Sequence, residues 1–121
     1  MFDMLMTLAI ASVLVMIAYP GYVAYKVRAN RVATQALLID LANRQQIYML
    51  DARGYASTLA DLGAVSLPAE VAAYYVVADP LVDNAASPPS FVISASARAG
   101  TIQGRDGDLS INSTGIRSGH W

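Results

Sequence analysis

Residues 1–26 read MFDMLMTLAIASVLVMIAYPGYVAYK, and no charged side chain stands between Asp3 and Lys26. An apolar helix of about 20 residues is long enough to cross the hydrocarbon core of a bilayer. A helix on the surface of a globular protein would instead show one polar face. The stretch therefore predicts a membrane-spanning helix. The predicted transmembrane positions include Met4, Leu8, Val13, Ile17 and Tyr19.

Three features distinguish this helix from a plain membrane anchor. Asp3 places an acid almost at its start, Pro20 is followed by Gly21, and the helical pattern continues beyond Lys26. A proline inside a helix removes one backbone donor and clashes with the carbonyl one turn earlier. We therefore expect a bend or a loosened turn near residues 16–20. The run also lacks the basic start and the small-x-small cleavage site of a secretory signal.

The composition limits the rest of the chain to one small domain. The chain has 121 residues, a net charge of −1 and no cysteine. Residues 26–121 are enough for one modest hydrophobic core but not for two domains. The Lys and Arg residues are scattered, so no nucleic acid contact is evident, because phosphate binding needs clustered cations. Without cysteine there is no disulfide framework and no thiolate metal site.

The helical pattern from Val27 to Ala52 has two apolar stripes, whereas a surface helix normally has one. The first stripe contains Leu37, Leu38, Leu41, Ala42, Tyr48 and Met49. The second contains Val32, Ala36, Ile39, Ile47 and Leu50. Two stripes favour two apolar partners, the protein's own sheet and something else; the alternative is a helix buried on most sides within the domain. We expect Gly54, after Arg53, to cap the C-terminus of the helix.

Short β-patterns follow the helix. Residues 74–77 are aromatic or β-branched, and residues 90–97 and 109–112 alternate between apolar and polar side chains. Residues 101–103 are a candidate extension of one strand. DPLVDNAASPPS predicts a loop or a wide hairpin connection, and the C-terminus a polar tail. Three to four antiparallel strands need one covered face, and the long helix is the only element large enough to cover it. The predicted fold class is α+β.

The sequence resembles a type IV pilin over nearly its whole length. FDMLMTLAIASVLVMIAYPGYVAYKVRANR is similar to the family's mature N-terminal helix, and RQQIYMLDARGYAST is similar to the end of that helix. YYVV, SFVISASA and GDLSINSTGI follow in the order of the family's strands. The resemblance implies a long kinked helix, packed by its second half against a small antiparallel sheet. Aligned on Pro20, Asp3 takes the place of the family's conserved glutamate.

The resemblance implies a structural subunit of a type IV pilus, with adhesion, motility or DNA uptake downstream, and not an enzyme. Residues 1–25 would form the transmembrane and filament-core helix, and residues 26–121 a periplasmic, later extracellular, domain. In the family the conserved acid meets the N-terminal amine of a neighbouring subunit. The residues implied in subunit assembly are Asp3, Phe2, Pro20 and Gly21.

The implied partners are other pilins in a filament, an inner-membrane assembly platform and, for a full-length precursor, a prepilin peptidase. The implied location is the inner membrane, as a single-pass protein, and then the pilus on the surface of a Gram-negative-type bacterium. Met1 aligns inside the family's mature sequence, without the leader, the glycine before the cut or the methylated Phe. We therefore expect a truncated sequence or unusual processing.

Further predictions concern the C-terminal strands, the chemistry of the chain and its alternative functions. Family members often close their C-terminal strands with a disulfide, and an Asp108–His120 contact is expected near that place. No nucleophile–base pair, phosphate loop or metal-ligand cluster occurs, which predicts no catalytic site, cofactor or metal. The alternatives are a type II secretion pseudopilin or a single-span anchored ligand-binding module. In the anchored module, the negative charge of Asp3 would only interact favourably with the positive end of the helix dipole.

Overall fold

One helix, α1, spans Phe2–Ala52 in the computed structural model, which describes all of residues 1–121. The chain stays α-helical through Pro20 and Gly21, so the loosened turn offered for residues 16–20 is absent, and the bend offered as its alternative stays a prediction. A proline removes only one helical donor, and the hydrogen bonds on either side hold the helix together. All of residues 1–22 are exposed, and α1 is long and apolar enough to cross a membrane.

The second half of α1 is covered on one face only. Its buried residues are Asn30, Thr34, Leu38, Leu41 and Gln45. On the opposite face Val32, Ile47 and Leu50 are exposed, with Leu50 at 85 %. The alternative of a helix buried on most sides is therefore wrong, and the second apolar stripe has no partner within the chain. Ile39 is the exception in that stripe, because it packs against the core.

The helix ends at Arg53, which takes the left-handed conformation with φ 58°. Its backbone N–H donates to the Met49 carbonyl at 2.9 Å. The prediction of Gly54 as the left-handed cap is therefore wrong by one residue. Gly54 lies close to Asn84 instead, and a Cβ there would make a tight contact of 3.3 Å with the Asn84 side chain. The Asn84 amide binds both the N–H and the C=O of Tyr55, which holds the chain after α1 in place.

Five antiparallel strands form one sheet in the order β1-β3-β4-β5, with β2 also pairing with β3. The short helix α2 precedes them. Their bounds are α2 Ala69–Ala72, β1 Tyr75–Val77, β2 Leu81–Asp83, β3 Ser90–Ala97, β4 Leu109–Asn112 and β5 Arg117–Gly119. The predicted α+β fold, a long helix against a small antiparallel sheet, is confirmed with one strand more than expected.

Two strands and one turn differ from the sequence expectations. β2 lies in the predicted loop, and β5 lies in the predicted polar tail. Both are edge segments whose pairing is with β3 or β4 and whose own sequences are not typical of strands. Gly119 permits the β4–β5 pairing, because a Cβ there would overlap the Asp108 carbonyl oxygen. Residues 101–103 form a turn rather than a strand extension.

The core lies between the sheet and the covered face of α1. Leu38 and Leu41 of the helix are fully buried. Tyr55 and Phe91 meet edge to face, with ring centroids 4.7 Å apart. Other core residues are Ala56, Leu62, Val71, Tyr75, Ile93, Ala95, Leu109 and Ile111. Gln45 lies among these apolar groups, and its amide binds both the N–H and the C=O of Ala56 at 2.8 Å.

Replacing Gln45→Leu keeps the volume of the side chain but leaves the buried Ala56 N–H and C=O without partners. Each unsatisfied buried group costs about 1–3 kcal/mol, so the free energy of unfolding should fall by about 2–4 kcal/mol. Urea unfolding of the detergent-solubilised chain, followed by near-ultraviolet circular dichroism, measures this fall. Gln46→Leu is the matched control, because Gln46 is exposed. Equal losses in the two variants would contradict the role assigned to Gln45.

Candidate assembly helix and charged faces of the domain

The predicted assembly and transmembrane residues all lie on the uncovered first half of α1. The Asp3 backbone carbonyl accepts a hydrogen bond from the Thr7 hydroxyl at 2.8 Å. The Asp3 carboxylate forms no hydrogen bond or salt bridge within the chain, so it is available to a neighbouring molecule. The exposed predicted residues are Phe2, Met4, Leu8, Val13, Ile17, Tyr19, Pro20 and Gly21.

This half of α1 exposes apolar side chains whose contact with water is unfavourable. Burying one large apolar side chain contributes about 1.5–3 kcal/mol. Exposed residues of this size begin at Phe2 and recur in every turn up to Tyr25. Lipid chains or other apolar helices can cover such a surface, and the chain's own domain does not. The arrangement is therefore that of a membrane anchor or of a helix in an assembly.

A network of polar side chains around Asp106 ties the second half of α1 to the far end of the chain. Arg31 of α1 grips the Asp106 carboxylate with two hydrogen bonds of 2.8 Å, one from Nε and one from Nη2. The Asp106 side chain is only 6 % exposed. A bidentate arginine–carboxylate pair fixes direction as well as distance. The pair therefore anchors the β3–β4 loop, residues 98–108, on α1.

Gln103 completes this network from the same loop. Its Nε2 lies 2.8 Å from the Tyr75 hydroxyl oxygen, 3.0 Å from Asp106 Oδ2 and 3.1 Å from the Val27 carbonyl oxygen. Its Oε1 accepts from Asn30 Nδ2 at 3.3 Å. Burial raises the pKa of the Tyr75 hydroxyl above its ordinary value of 10.0, and the Gln103 hydrogen bond opposes this rise. Every polar side-chain atom buried here has a partner.

His120 joins the network from the C-terminus, but not in the expected way. Its Nδ1 lies 2.6 Å from the Asp106 carbonyl oxygen and 3.3 Å from Asp106 Oδ1. Its Nε2 lies 3.3 Å from Arg31 Nη1, so a tautomer protonated on Nδ1 satisfies both contacts. The expected Asp108–His120 contact exists only through the backbone, and the two side chains do not pair. Asp108 instead accepts from the Ala97 N–H through its carboxylate and from the His120 N–H through its carbonyl.

The sequence carried no signal for this network. Arg31 and Asp106 are 75 residues apart. Gln103 stands in a segment expected to be strand, where an amide side chain predicts no particular partner.

Charge is distributed unevenly along the domain, which has two ends. The proximal end lies beside residues 26–31 of α1 and includes the β3–β4 loop. The distal end lies beside residues 40–52. The proximal cations are Lys26, Arg28, Arg31, Arg98 and Arg105, against the acids Glu70, Asp106 and Asp108. The distal acids are Asp40, Asp51, Asp61, Asp79 and Asp83, against the cations Arg44, Arg53 and Arg117. A chain of nearly neutral total charge thus has a basic end and an acidic end.

A shallow groove of about 320 Å³ separates α1 from the turn between β4 and β5. Its floor is apolar, with Ile39, Phe91 and Ile111. Polar groups surround it: Asn43, Gln46, Asn112, Ser113, Thr114 and Arg117. Arg117 lies on the edge strand β5, and its guanidinium carbon is 5.1 Å from the centre of the Trp121 ring. The Trp121 ring N–H donates to the Ser110 carbonyl at 3.1 Å, which fixes the indole against the sheet edge.

The fold and the helix together define a class of protein: a small α+β domain on a long helix whose apolar first half is uncovered and is long enough to cross a membrane. A family model described as "Type IV minor pilin ComP, DNA uptake sequence receptor" matches residues 20–109. The chain belongs to this family of type IV minor pilins. A comparison with curated proteins gave no match, and a comparison with solved structures gave none.

Family membership confirms the resemblance to type IV pilins and the predicted role as a structural subunit of a type IV pilus. Of the three downstream roles expected from the sequence, the family fits DNA uptake. The interpretation that the sequence shows no nucleic acid contact is not confirmed, because the family is named for a receptor of DNA. Anchoring in a membrane and a pilus at the cell surface fit both the family and the apolar helix. The pilin family indicates a structural role.

Replacing Asp106→Asn keeps the shape of the side chain but leaves Arg31 without its anionic partner. Removing one member of a largely buried ion pair is costly, and we expect the free energy of unfolding to fall by about 2–4 kcal/mol. The control is Asp40→Asn, which breaks an exposed pair with Arg44 and should cost less than about 1 kcal/mol. Urea unfolding compares the two. Losses of similar size would show that the network around Asp106 does not stabilise the domain.

Proposed function

We propose that this minor pilin binds DNA directly with its domain while α1 holds it in the membrane and then in the filament. The observation that carries the proposal is the family match over residues 20–109, which includes the second half of α1 and strands β1 to β3 and ends at the start of β4. Residues 1–25 serve as the transmembrane and filament-core segment, and residues 26–121 as the exposed domain. The role of the domain is to bring DNA to the pilus.

In this proposal Asp3 sets the position of the subunit in the filament. A carboxylate in an apolar assembly is costly unless a cation pairs with it. The Asp3 carboxylate has no partner in its own chain, which leaves it available for the amine or another cation of a neighbouring pilin. Phe2 adds apolar contact beside it, and Pro20 with Gly21 lets the helix adjust as it leaves lipid. An inner-membrane assembly platform and a prepilin peptidase are the proposed partners before assembly.

The DNA contact is proposed at the β5 edge of the sheet. The face of α1 opposite the sheet is apolar and suits other helices, so the β5 edge remains accessible after assembly. Arg117 supplies a guanidinium there, and Asn43 and Gln46 supply amides along the adjoining groove. Arginine, asparagine and glutamine are the side chains that best hydrogen-bond the edges of bases. Trp121 beneath Arg117 adds a rigid aromatic surface.

Replacing Arg117→Gln tests this contact. We expect affinity of the full-length chain in detergent for duplex DNA to fall about tenfold, or about 1.4 kcal/mol. The slope of log affinity against log salt should become shallower by about one. Arg53→Gln is the matched control, because Arg53 is exposed and lies away from the groove. Fluorescence anisotropy with labelled DNA at several salt concentrations measures both quantities. Equal effects of the two variants would remove β5 from the DNA contact, and no binding by the parent chain would refute direct binding.

Replacing Asp3→Asn tests the assembly role separately. We expect the variant to enter the membrane as the parent does and to be lost from purified pili, because the amide offers no charge to a neighbouring cation. Membrane fractionation and immunoblots of sheared filaments measure the two steps. Asp51→Asn, a change of the same kind at the exposed end of α1, is the control. Normal incorporation of Asp3→Asn would favour an anchored module that does not need this charge.

A further inference from the structure

The basic proximal end of the domain lies at the level where α1 leaves its apolar segment. Gln103 contacts the Val27 carbonyl, and Asp106 is gripped by Arg31, so the β3–β4 loop lies beside the first turns after Lys26. Lys26 Nζ lies 5.9 Å from the centre of the Tyr74 ring, which brings the start of β1 to the same level. Arg98 Nε donates to the Ala72 carbonyl and adds α2.

Helix geometry places this level in the headgroup layer when the apolar half spans a bilayer. Residues 4–25 rise about 33 Å at 1.5 Å per residue, which matches a hydrocarbon core of about 30 Å. Residues 27–31 then lie about 3–9 Å beyond the apolar segment, within the polar layer of the membrane. Tyr19, Tyr22 and Tyr25 mark the boundary, as aromatic residues do at the surfaces of bilayers.

The proximal end carries five cations against three acids, which leaves an excess of two positive charges. Arg31 is neutralised by Asp106, but Arg28 and Arg105 are exposed and form no salt bridge. The exposed acids at this end are Glu70 and Asp108, and Asp108 accepts a hydrogen bond from the Ala97 N–H. The other acids of residues 26–121 lie distally, which turns the negative pole of the domain away from the membrane. Cations this close to the membrane surface attract anionic lipids.

We propose that the proximal end binds the headgroups of anionic phospholipids before the subunit enters a filament. Arg28 and Arg105 contact lipid phosphates directly, while the Arg31–Asp106 pair holds the loop that carries Arg105 against α1. The domain therefore rests upright on the membrane, with the second apolar stripe of α1 presented to incoming subunits. Extraction into the filament breaks these contacts, which makes the interaction specific to the unassembled subunit.

A label at the proximal end tests the proposal in the full-length chain. Because the chain has no cysteine, Ala99→Cys in the β3–β4 loop and Ala60→Cys at the distal end each give one site for a fluorophore. Both positions are exposed. The labelled chains are reconstituted in phosphatidylcholine vesicles with and without phosphatidylglycerol, both carrying a nitroxide on some headgroups. The quenching of each label by the nitroxide is measured.

We expect quenching at position 99 to rise about twofold with phosphatidylglycerol and to return to the lower value at high salt. Quenching at position 60 should not change. Arg105→Gln or Arg28→Gln should abolish most of the rise, whereas Arg53→Gln should not. Arg28 lies on α1 and Arg105 in the β3–β4 loop, so a folding defect in one variant leaves the other to test the proposal.

Several results would overturn the proposal. Equal quenching in both vesicles, failure of the chain to insert, or an equal effect of Arg53→Gln would each do so. Short duplex DNA is also added to the vesicles without phosphatidylglycerol. If DNA protects position 99 through Arg105 and the anionic lipid has no effect, then the proximal end is a DNA surface. DNA binding that depends on Arg117 alone, with or without lipid docking, leaves the two proposals separate.

Discussion

The structure depends on a single helix that is covered on less than half of its surface. The sheet packs on Leu38 and Leu41, and nothing in the chain covers the first half of α1 or the stripe that includes Val32 and Leu50. Apolar surface of this extent is stable only in lipid or against other helices. Membership of the minor pilins fits the arrangement, because a pilus subunit has other subunits beside it. The fold therefore leaves apolar surface that only lipid or other helices can bury.

Inside the domain, an ion-pair network joins segments that a disulfide joins in many small exported domains. The chain has no cysteine, and the Asp106 network joins α1, the β3–β4 loop and the C-terminus without a disulfide. Its arginine and carboxylate are each largely removed from water, so separating them is costly and the three segments stay in register. The same network determines which cations remain for outside partners. Arg31 pairs with Asp106 within the domain, whereas Arg28, Arg105 and Arg117 stay exposed.

The parts of the fold that could be predicted are those with local signals. The apolar run, the helix to Ala52 and the alternating strand at residues 90–97 follow from residue pattern alone. β2 and β5 were missed because each has three residues, lies at an edge, and exists through its partner strand. Arg53 was missed as the cap, because a residue other than glycine rarely takes the left-handed conformation and glycine stands next to it in the sequence.

By itself the sequence determined that this protein has a membrane-length helix with an acid at its start, continuing over a small sheet, since burial of periodic apolar residues is a local property of the chain. The tertiary structure alone decided that one stripe of the helix is covered and the other is not. It also decided that Asp106 pairs with Arg31 and that His120 turns to Asp106 rather than Asp108. Contacts between segments 75 residues apart depend on how the sheet lies on the helix, and no periodicity encodes that.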